Sequence, residues 1–514
     1  MNNRFELPPI DYAALAPMLI LFGAAAVGVL VEAFVPRARR QVTQVGLALA
    51  ALVAALVLIV SQAGKQVVTI GGSVAVDGPA LFLQGAIAVL GIVALLLIAE
   101  RALEPGGPFV AQAAIAAGSS ADRQQAAREP GATEVYPLSL FAIGGMMLFV
   151  AANDLLTMFV ALEVFSLPLY LLCGLARRRR LLSQEAALKY FLLGSFASAF
   201  FLFGIALVYG FAGTIDLPGI HTAVRDSANS QVLLFAGLAM LAIGLLFKVS
   251  AAPFHVWTPD VYQGAPTPIT GFMAACTKVA AFGALLRVLY VGFEGAQWNY
   301  KPVIGAIAVL TMLLGAILAV TQTDIKRLLA YSSIANAGYV LVGVLAATRE
   351  GLSSTMFYLI AYGFTVVAAF AVVTLVRDAD GEATHLSRWA GLGRRSPLVA
   401  GVFTLFLLAF AGIPLTSGFT SKFAVFAAGL GAQDDLGVWL VIVGVVSSMI
   451  LAFPYLRVVV LMYLSEPSEA TPSVSLPGAA TAAALAVGVF ATVLLGVAPG
   501  PVLDLTNQAA EFLR

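Results

Sequence analysis

Of 514 residues, 61% are hydrophobic and only 11% carry charge, against roughly 25% charged in ordinary soluble domains. At about 20 apolar residues per bilayer crossing, that stock supplies around fourteen spans and leaves too little for a large extramembrane catalytic domain. The 28 basic and 27 acidic residues nearly cancel, to a formal net charge of +1, which argues against a nucleic-acid partner and makes the placement of charges more informative than their sum.

Cut at polar, Pro and Gly punctuation, the chain opens with apolar segments near 12–35, 42–62, 79–99, 137–152, 154–175, 186–212, 231–258 and 266–292. A second set follows near 302–321, 327–347, 353–376, 397–429, 437–463 and 478–498. All but the fourth are long enough for helices, and in lipid only helices or closed barrels satisfy their own backbone hydrogen bonds. The ten-residue alternating strands of a barrel are not in the sequence, so the expected fold class is an all-α polytopic membrane protein of about 14 transmembrane helices. The first apolar run follows MNNRFELPPIDYAAL and ends in PRARR at 36–40. Apolar first and basic after reads as a retained span with its N-terminus outside, not a cleaved signal. Residues 100–136, rich in Ala, Gly and Gln, read as a loose cytoplasmic connection.

The inventory offers no redox or nucleotide site. Cys173 and Cys276 both lie in apolar stretches, outside any CxxC pair, and read as core residues. His221 and His385 fall in polar connections, so His255 alone cannot supply paired haem ligands, and four thiolates for an iron–sulfur cluster are lacking. Walker and GxGxxG loops are also missing. If the protein serves a redox reaction, the electrons move elsewhere.

Alternate connections differ in basic residues. One set holds sixteen: Arg37, Arg39, Arg40, Arg101, Arg123, Arg128, Arg177, Arg178, Arg179, Arg180, Lys326, Arg327, Arg377, Arg388, Arg394 and Arg395. The other, with both termini, holds six: Arg4, Lys65, Arg225, Lys301, Arg349 and Arg514. The positive-inside rule puts both termini outside and supports an even number of spans. The run Arg177–Arg180 reads as a cytoplasmic anchor, with anionic-lipid binding as the lesser reading.

Six basic residues remain within spans: Lys189, Lys248, Lys278, Arg287, Lys422 and Arg457. Arg287 and Arg457 lie late in their spans, where snorkelling toward the headgroups explains them. The lysines have no such outlet. Each costs about 2.5–3.5 kcal/mol at mid-span, four together on the order of 10 kcal/mol, and such groups usually face a polar interior. Glu163, nine residues into its span in the string ALEVF, belongs with them, as does His255, about two helical turns beyond Lys248 and on the same face if that helix is unbroken. Burial favours a neutral amine and a nearby carboxylate favours a charged one, so a small displacement of the partner toggles the lysine. A static ion pair fixing helix packing is the competing account. Four lysines with a glutamate and a histidine point instead to a proton chain.

Two spans are interrupted. Pro253 sits in KVSAAPFH at 248–255, and Gly412, Pro414 and Gly418 sit in GIPLTSGFTSK at 412–422. Broken helices at corresponding positions of two halves point to a transport site. Lys248 and Lys422 are 174 residues apart, and superposing the LeuLeu pair at 155–156 on that at 328–329 gives an offset of 173, consistent with an internal five-span repeat.

The string KVSAAPFHVWTPDVYQGAPTP at 248–268, SFASAF at 195–200, LAYSSI at 329–334 and GIPLTSGF at 412–419 resemble the antiporter-like membrane subunits of respiratory complex I, NADH:quinone oxidoreductase. The resemblance runs from about 137 to 463. It implies a proton-translocating subunit with two inverted five-helix repeats, broken helices 7 and 12, no cofactor of its own, and partners that carry the flavin, iron–sulfur clusters and quinone. It divides the chain into 1–136, the two antiporter-like halves 137–292 and 302–463, and a last span in 464–514, all in a bacterial cell membrane beside other membrane-arm subunits. By motif, Glu163 resembles the family's key glutamate and Lys248 its partner lysine. Lys189, His255 and Lys278 match connecting groups, and Lys422 the exit-side lysine. Where many relatives have histidine this chain reads IAN336AGY. Asparagine takes up no proton at ordinary pH, so water or a hydroxyl such as Tyr331 or Ser333 is expected to relay there. Lysine at 422 disfavours the M-type subunit, and a C-terminus close behind the last span leaves no room for the L-type lateral helix, which makes the N-type the nearest fit. The alternatives are a subunit of a multi-subunit sodium/proton antiporter, a stand-alone cation/proton transporter, and a structural spacer.

Overall fold

The computed structural model describes residues 10–103, 107–110, 119–120, 124, 132–226, 231–378, 381–432, 434–466 and 473–513. Arg4, Arg123, Arg128, Arg514 and most of the 100–136 connection lie outside the described residues. Twelve helices are long and apolar enough to cross a membrane, and the shorter apolar helices Val135–Ala151 and Pro397–Ala411 bring the described spans to fourteen. In chain order they are α1 (Tyr12–Phe34), α2 (Arg37–Ser61), α3 (Gly78–Ile98), α4 (Val135–Ala151), α5 (Leu155–Cys173), α6 (Arg180–Ala212), α7 (Gln231–Val249), α8 (Thr267–Gly292), α9 (Gln297–Val320), α10 (Ile325–Ala346), α11 (Arg349–Leu375), α12 (Pro397–Ala411), α13 (Asp435–Leu464) and α14 (Ala479–Val497). The chain is a multi-pass membrane protein.

Helix starts follow side-chain capping. Asp11, Asp77, Asp154, Asp324, Thr348 and Asp434 each accept a backbone N–H from the first turn of α1, α3, α5, α10, α11 and α13, satisfying donors that a helix N-terminus leaves free. Basic residues lengthen two helices beyond their apolar runs: α2 begins at Arg37 and α6 at Arg180. Small antiparallel sheets, not anticipated from the sequence, tie the connections. β1 (Val67–Thr69) pairs with β2 (Val74–Val76), and β3 (Val376–Asp378) lies between β4 (Gly381–Glu382) and β5 (Ser473–Val474).

Both expected breaks are present. α7 stops at Val249 and the chain resumes as the short helix Trp257–Gly264; α12 stops at Ala411 and resumes as Ser417–Gly431. Gly412 carries φ +83°, a conformation that favours glycine, and a Cβ on Gly418 would collide with the Ala409 carbonyl.

The two halves share a backbone device. Leu155 N–H donates to Ile215 O and Leu217 N–H to Asn153 O at 3.0 Å each; Ile325 N–H donates to Thr384 O and Leu386 N–H to Thr323 O at 2.7 Å each. The start of α5 is thus stitched to the segment after α6, as the start of α10 is to the segment after α11. Five spans separate the equivalents, and an odd number turns the second copy over in the membrane.

Burial sorts the helices into layers. The most apolar stretch of α8 is 100% buried, of α10 94% and of α11 89%, whereas α2, α13 and α14 are each 33% buried. The first group is the protein's centre and the second its apolar rim.

One sequence expectation about basic residues needs correction. Arg287 does not snorkel: it is fully buried and its guanidinium pairs with Asp77 at 2.7 and 3.0 Å, donates to Val150 O at 3.0 Å, and lies over the Phe512 ring. Asp77, 210 residues away in sequence, gives it a closer partner than the headgroups would. The Arg177–Arg180 run is bonded to its neighbours. Arg179 donates to Thr384 Oγ1 and Glu382 O, Arg177 donates to Phe109 O, and Arg177 and Arg180 are buried, because neighbouring loops present carbonyls to them. Arg457 is exposed and donates to Val320 O, in keeping with its snorkelling assignment.

Candidate functional site

Lys248 stands in the last turn of α7, 3% exposed, and donates to Ser166 Oγ on α5 at 2.8 Å. The Ser166 hydroxyl in turn donates to Leu162 O, which leaves its lone pairs facing the amine. Tyr190, Phe165, Tyr170 and Phe247 surround the ammonium with ring centroids 5.1, 5.3, 5.4 and 5.9 Å away. Rings at this distance attract a cation through their quadrupoles without neutralising it.

Glu163 lies three residues before Ser166, hence on the same face of α5, and is half-buried. Its Oε1 is buried without a hydrogen-bond partner. The wall of α5 therefore offers the Lys248 amine two acceptors a helical turn apart, of which the hydroxyl is engaged.

Lys278 follows a π-helical turn, Met273–Thr277, in α8, an irregularity frequent at functional sites. It is 3% exposed, and its Nζ donates to Ser333 O on α10 at 2.5 Å, with Val249 O at the broken end of α7 3.5 Å away. The ring of Tyr362 lies 5.9 Å off. Lys422, on the helix beyond the second break, is 6% exposed and donates to Phe410 O at 2.8 Å, Ala411 O at 3.3 Å and Ser448 Oγ at 2.8 Å, with the Tyr339 ring 4.9 Å away.

Hydroxyls fill the space between Lys278 and Lys422. Asn336 donates to Ser332 O at 2.8 Å and accepts from the Tyr358 hydroxyl at 2.6 Å. Tyr455 donates to Ser332 Oγ, and Ser447 donates to the Tyr339 hydroxyl at 3.3 Å. Ser333 Oγ and the Tyr362 hydroxyl are buried without partners. Of the two hydroxyls expected near Asn336, Ser333 sits on this axis but meets Lys278 through its carbonyl, while Tyr331 interacts with Arg327 instead. Tyr358 takes the place expected of Tyr331, because α11 packs across α10 at that level.

Two of the expected residues stand apart. Lys189 is partly exposed and forms ion pairs at 2.7 Å with Glu185 and Asp260, and Asp260 also holds Arg327 at 2.6 Å; among the described residues no bond joins it to Glu163. His255 lies in the α7 break, 8% exposed, with its Nδ1 unpartnered. Since α7 ends at Val249, the condition for a face shared by Lys248 and His255, an unbroken helix, is not met, and among the described residues no bond links His255 to Lys248 or Lys278. Ser166, Ser332, Tyr358, Tyr455 and Ser448 were not singled out from the sequence. Hydroxyl-bearing residues within apolar spans are their only local signal.

The family described as "NADH:quinone oxidoreductase/Mrp antiporter, TM" matches residues 152–450. A protein of Salinispora arenicola named NADH-quinone oxidoreductase subunit N is 70% identical over 519 residues, covering 100% of both chains; one of the same name from Acidothermus cellulolyticus is 60% identical, covering 100% of this chain and 98% of its own. Among solved structures, a chain of respiratory complex I from Thermus thermophilus with bound aureothin aligns with TM-score 0.76 at 33% identity, covering 95% of this chain and 98% of that one. A chain of the Mrp complex from Dietzia sp. aligns with TM-score 0.80 over 97% of both chains, but at 23% identity that likeness shows the fold alone. Whole-length identity of this order, on a fourteen-span scaffold with both helix breaks in place, shows that the chain belongs to the antiporter-like membrane-arm subunits of NADH:quinone oxidoreductase, among those named subunit N.

Proposed function

We propose that this chain translocates protons within the membrane arm of a bacterial complex I, through a buried row that begins at Glu163 and Lys248, passes Lys278 and the hydroxyls beyond it, and ends at Lys422. The flavin, iron–sulfur clusters and quinone belong to partner subunits, and this chain holds no cofactor of its own. The supporting observation is that three lysine ammoniums, each nearly excluded from solvent, are held by neutral oxygens and aromatic faces and not by carboxylates. An amine so held loses little when it deprotonates, whereas one bonded to a carboxylate leaves that charge unpaired.

Glu163 supplies the switch. With the Lys248 amine at Ser166 the carboxylate is one helical turn away. Moving the amine to Glu163 makes an ion pair, and returning it to Ser166 releases that restraint and frees a proton for the row. Redox work elsewhere drives the movement through neighbouring membrane-arm subunits. Lys189, clamped at the rim between Glu185 and Asp260, and His255, in the α7 break, are assigned as connecting groups. The halves are 137–292 and 302–463, preceded by three helices in 1–136 and followed by α14 in 464–514. Both termini face the outside of the cell membrane. The excess of basic residues in the alternate connections supports this.

Lys248→Ala in the assembled complex tests the scheme. Protons pumped per NADH oxidised should fall, with Glu163→Gln acting in the same direction; an unchanged ratio in both refutes it. Exchange of cations for protons by the purified chain alone in liposomes would favour the stand-alone transporter instead.

A further inference from the structure

The carbonyls freed where α12 breaks have a single kind of occupant. Helix ends leave their last C=O groups unpaired, and these carry the negative end of the helix dipole. At Ala411 the turn returns two of its own donors: Gly412 N–H bonds to Leu408 O and Ala409 O, and Ile413 N–H to Leu408 O. Phe410 O and Ala411 O accept instead from Lys422 Nζ, and Ser448 Oγ completes a three-oxygen shell around the ammonium at 2.8–3.3 Å. Gly412 permits the approach: the position its Cβ would take is 3.3 Å from the Lys422 Nζ.

The chemistry of this shell is that of an alkali-cation site. Carbonyls at the C-terminal end of a broken half-helix, joined by a hydroxyl, are the donors that hold Na⁺ inside transporters. A divalent ion would call for carboxylates, and none is among the oxygens that hold Lys422. We propose that the oxygen cage at the α12 break is a monovalent-cation site that the Lys422 ammonium fills, and that this tether makes the second half of the chain carry protons and reject sodium. The inference rests on the proposed role of Lys422 in proton transfer. A cation fixed to the backbone by its own side chain leaves the cage only as a proton, since the nitrogen cannot depart with it. Free Na⁺ finds the shell occupied.

The experiment uses the assembled complex and sodium itself as probe. Binding of ²²Na⁺ and the melting temperature are measured in NaCl and in choline chloride at equal ionic strength, for wild type, Lys422→Ala, Lys422→Gln and Lys422→Ala/Ser448→Ala. Wild type should show no sodium-specific shift. Lys422→Ala should gain a saturable ²²Na⁺ site and a sodium-specific rise in melting temperature. Lys422→Gln, which keeps a neutral group in the cage, should gain less, and adding Ser448→Ala should abolish the gain. Identical behaviour of Lys422→Ala in the two salts overturns the proposal. If the Lys422 variants fail to assemble, wild type decides: NADH-driven ²²Na⁺ uptake that Ser448→Ala removes overturns it, and proton pumping with no such uptake upholds it. Failure of the proton role is a separate result, seen as unchanged pumping in Lys422→Ala whatever its sodium binding.

Discussion

The Arg287–Asp77 pair allows the sharpest quantitative test of how this chain keeps charge in its interior. Both side chains are 0% exposed, and Asp77 carries more than the guanidinium: it caps α3 by accepting Ala80 N–H at 3.0 Å and receives Leu513 N–H at 3.1 Å. Asp77→Asn keeps the cap, since asparagine caps as well as aspartate, but removes the charge and, with an amide nitrogen in place of Oδ2, the acceptor for Leu513 N–H and one guanidinium N–H. Arg287 is then left as an uncompensated buried cation, which costs about 3–5 kcal/mol. Asp77→Ala adds the lost cap, about 1 kcal/mol more. Arg287→Met should cost less than Asp77→Asn, because the carboxylate left behind still accepts two backbone N–H groups. The double variant Asp77→Asn/Arg287→Met should be milder than the sum of the singles by 2 kcal/mol or more, on the order of buried-network coupling energies. The assay is the urea midpoint for loss of this subunit from the detergent-solubilised complex, read across the four variants as a double-mutant cycle. An Asp77→Asn cost below about 1 kcal/mol, or strict additivity, refutes the reasoning, since either means that Arg287 finds water without Asp77. Pumping per NADH should be unchanged in complexes that survive, because the pair makes no bond to any lysine of the row.

Two further outcomes follow from the same geometry. Tyr358→Phe removes the hydroxyl that donates to Asn336 Oδ1 at 2.6 Å; stability should fall by about 1 kcal/mol and proton uptake into NADH-energised vesicles should slow several-fold, and an unaltered rate would take Tyr358 out of the row. Lys189→Ala should reduce pumping less than Lys248→Ala and barely change stability, because the 41% exposed Lys189 side chain makes rim ion pairs worth about 1 kcal/mol or less; an effect as large as that of Lys248→Ala, measured as protons per NADH, would move Lys189 into the row itself.

How far the sequence could be read depended on whether a feature is local. The fourteen spans, the positions of both breaks and the candidate lysines were legible, since each is a property of 10–30 consecutive residues. Arg287 was misread for the opposite reason: it sits late in an apolar run exactly as a snorkelling residue would, and nothing near it in sequence announces Asp77. Tyr358 was missed because the hydroxyls considered for Asn336, Tyr331 and Ser333, are its neighbours along the chain, whereas the partner comes from the next helix.

By itself the sequence determined the class of protein. Apolar runs of bilayer length must become helices, because lipid offers backbone groups no other partner; the proline and glycine clusters at 248–255 and 412–422 interrupt two of them, whereas the single Pro17, Pro168 and Pro454 stay inside continuous helices. Three of the four amines in those runs turn inward, and Lys189, near the start of its run, stays at the rim. Only the tertiary structure decided what each amine meets there: Ser166 and an aromatic cage for Lys248, the Ser333 carbonyl for Lys278, the open end of α12 for Lys422. Those partners come from other helices, 11 to 82 residues away along the chain, and which of them arrives within hydrogen-bond reach depends on helix crossing and rotation, which no short stretch of chain encodes.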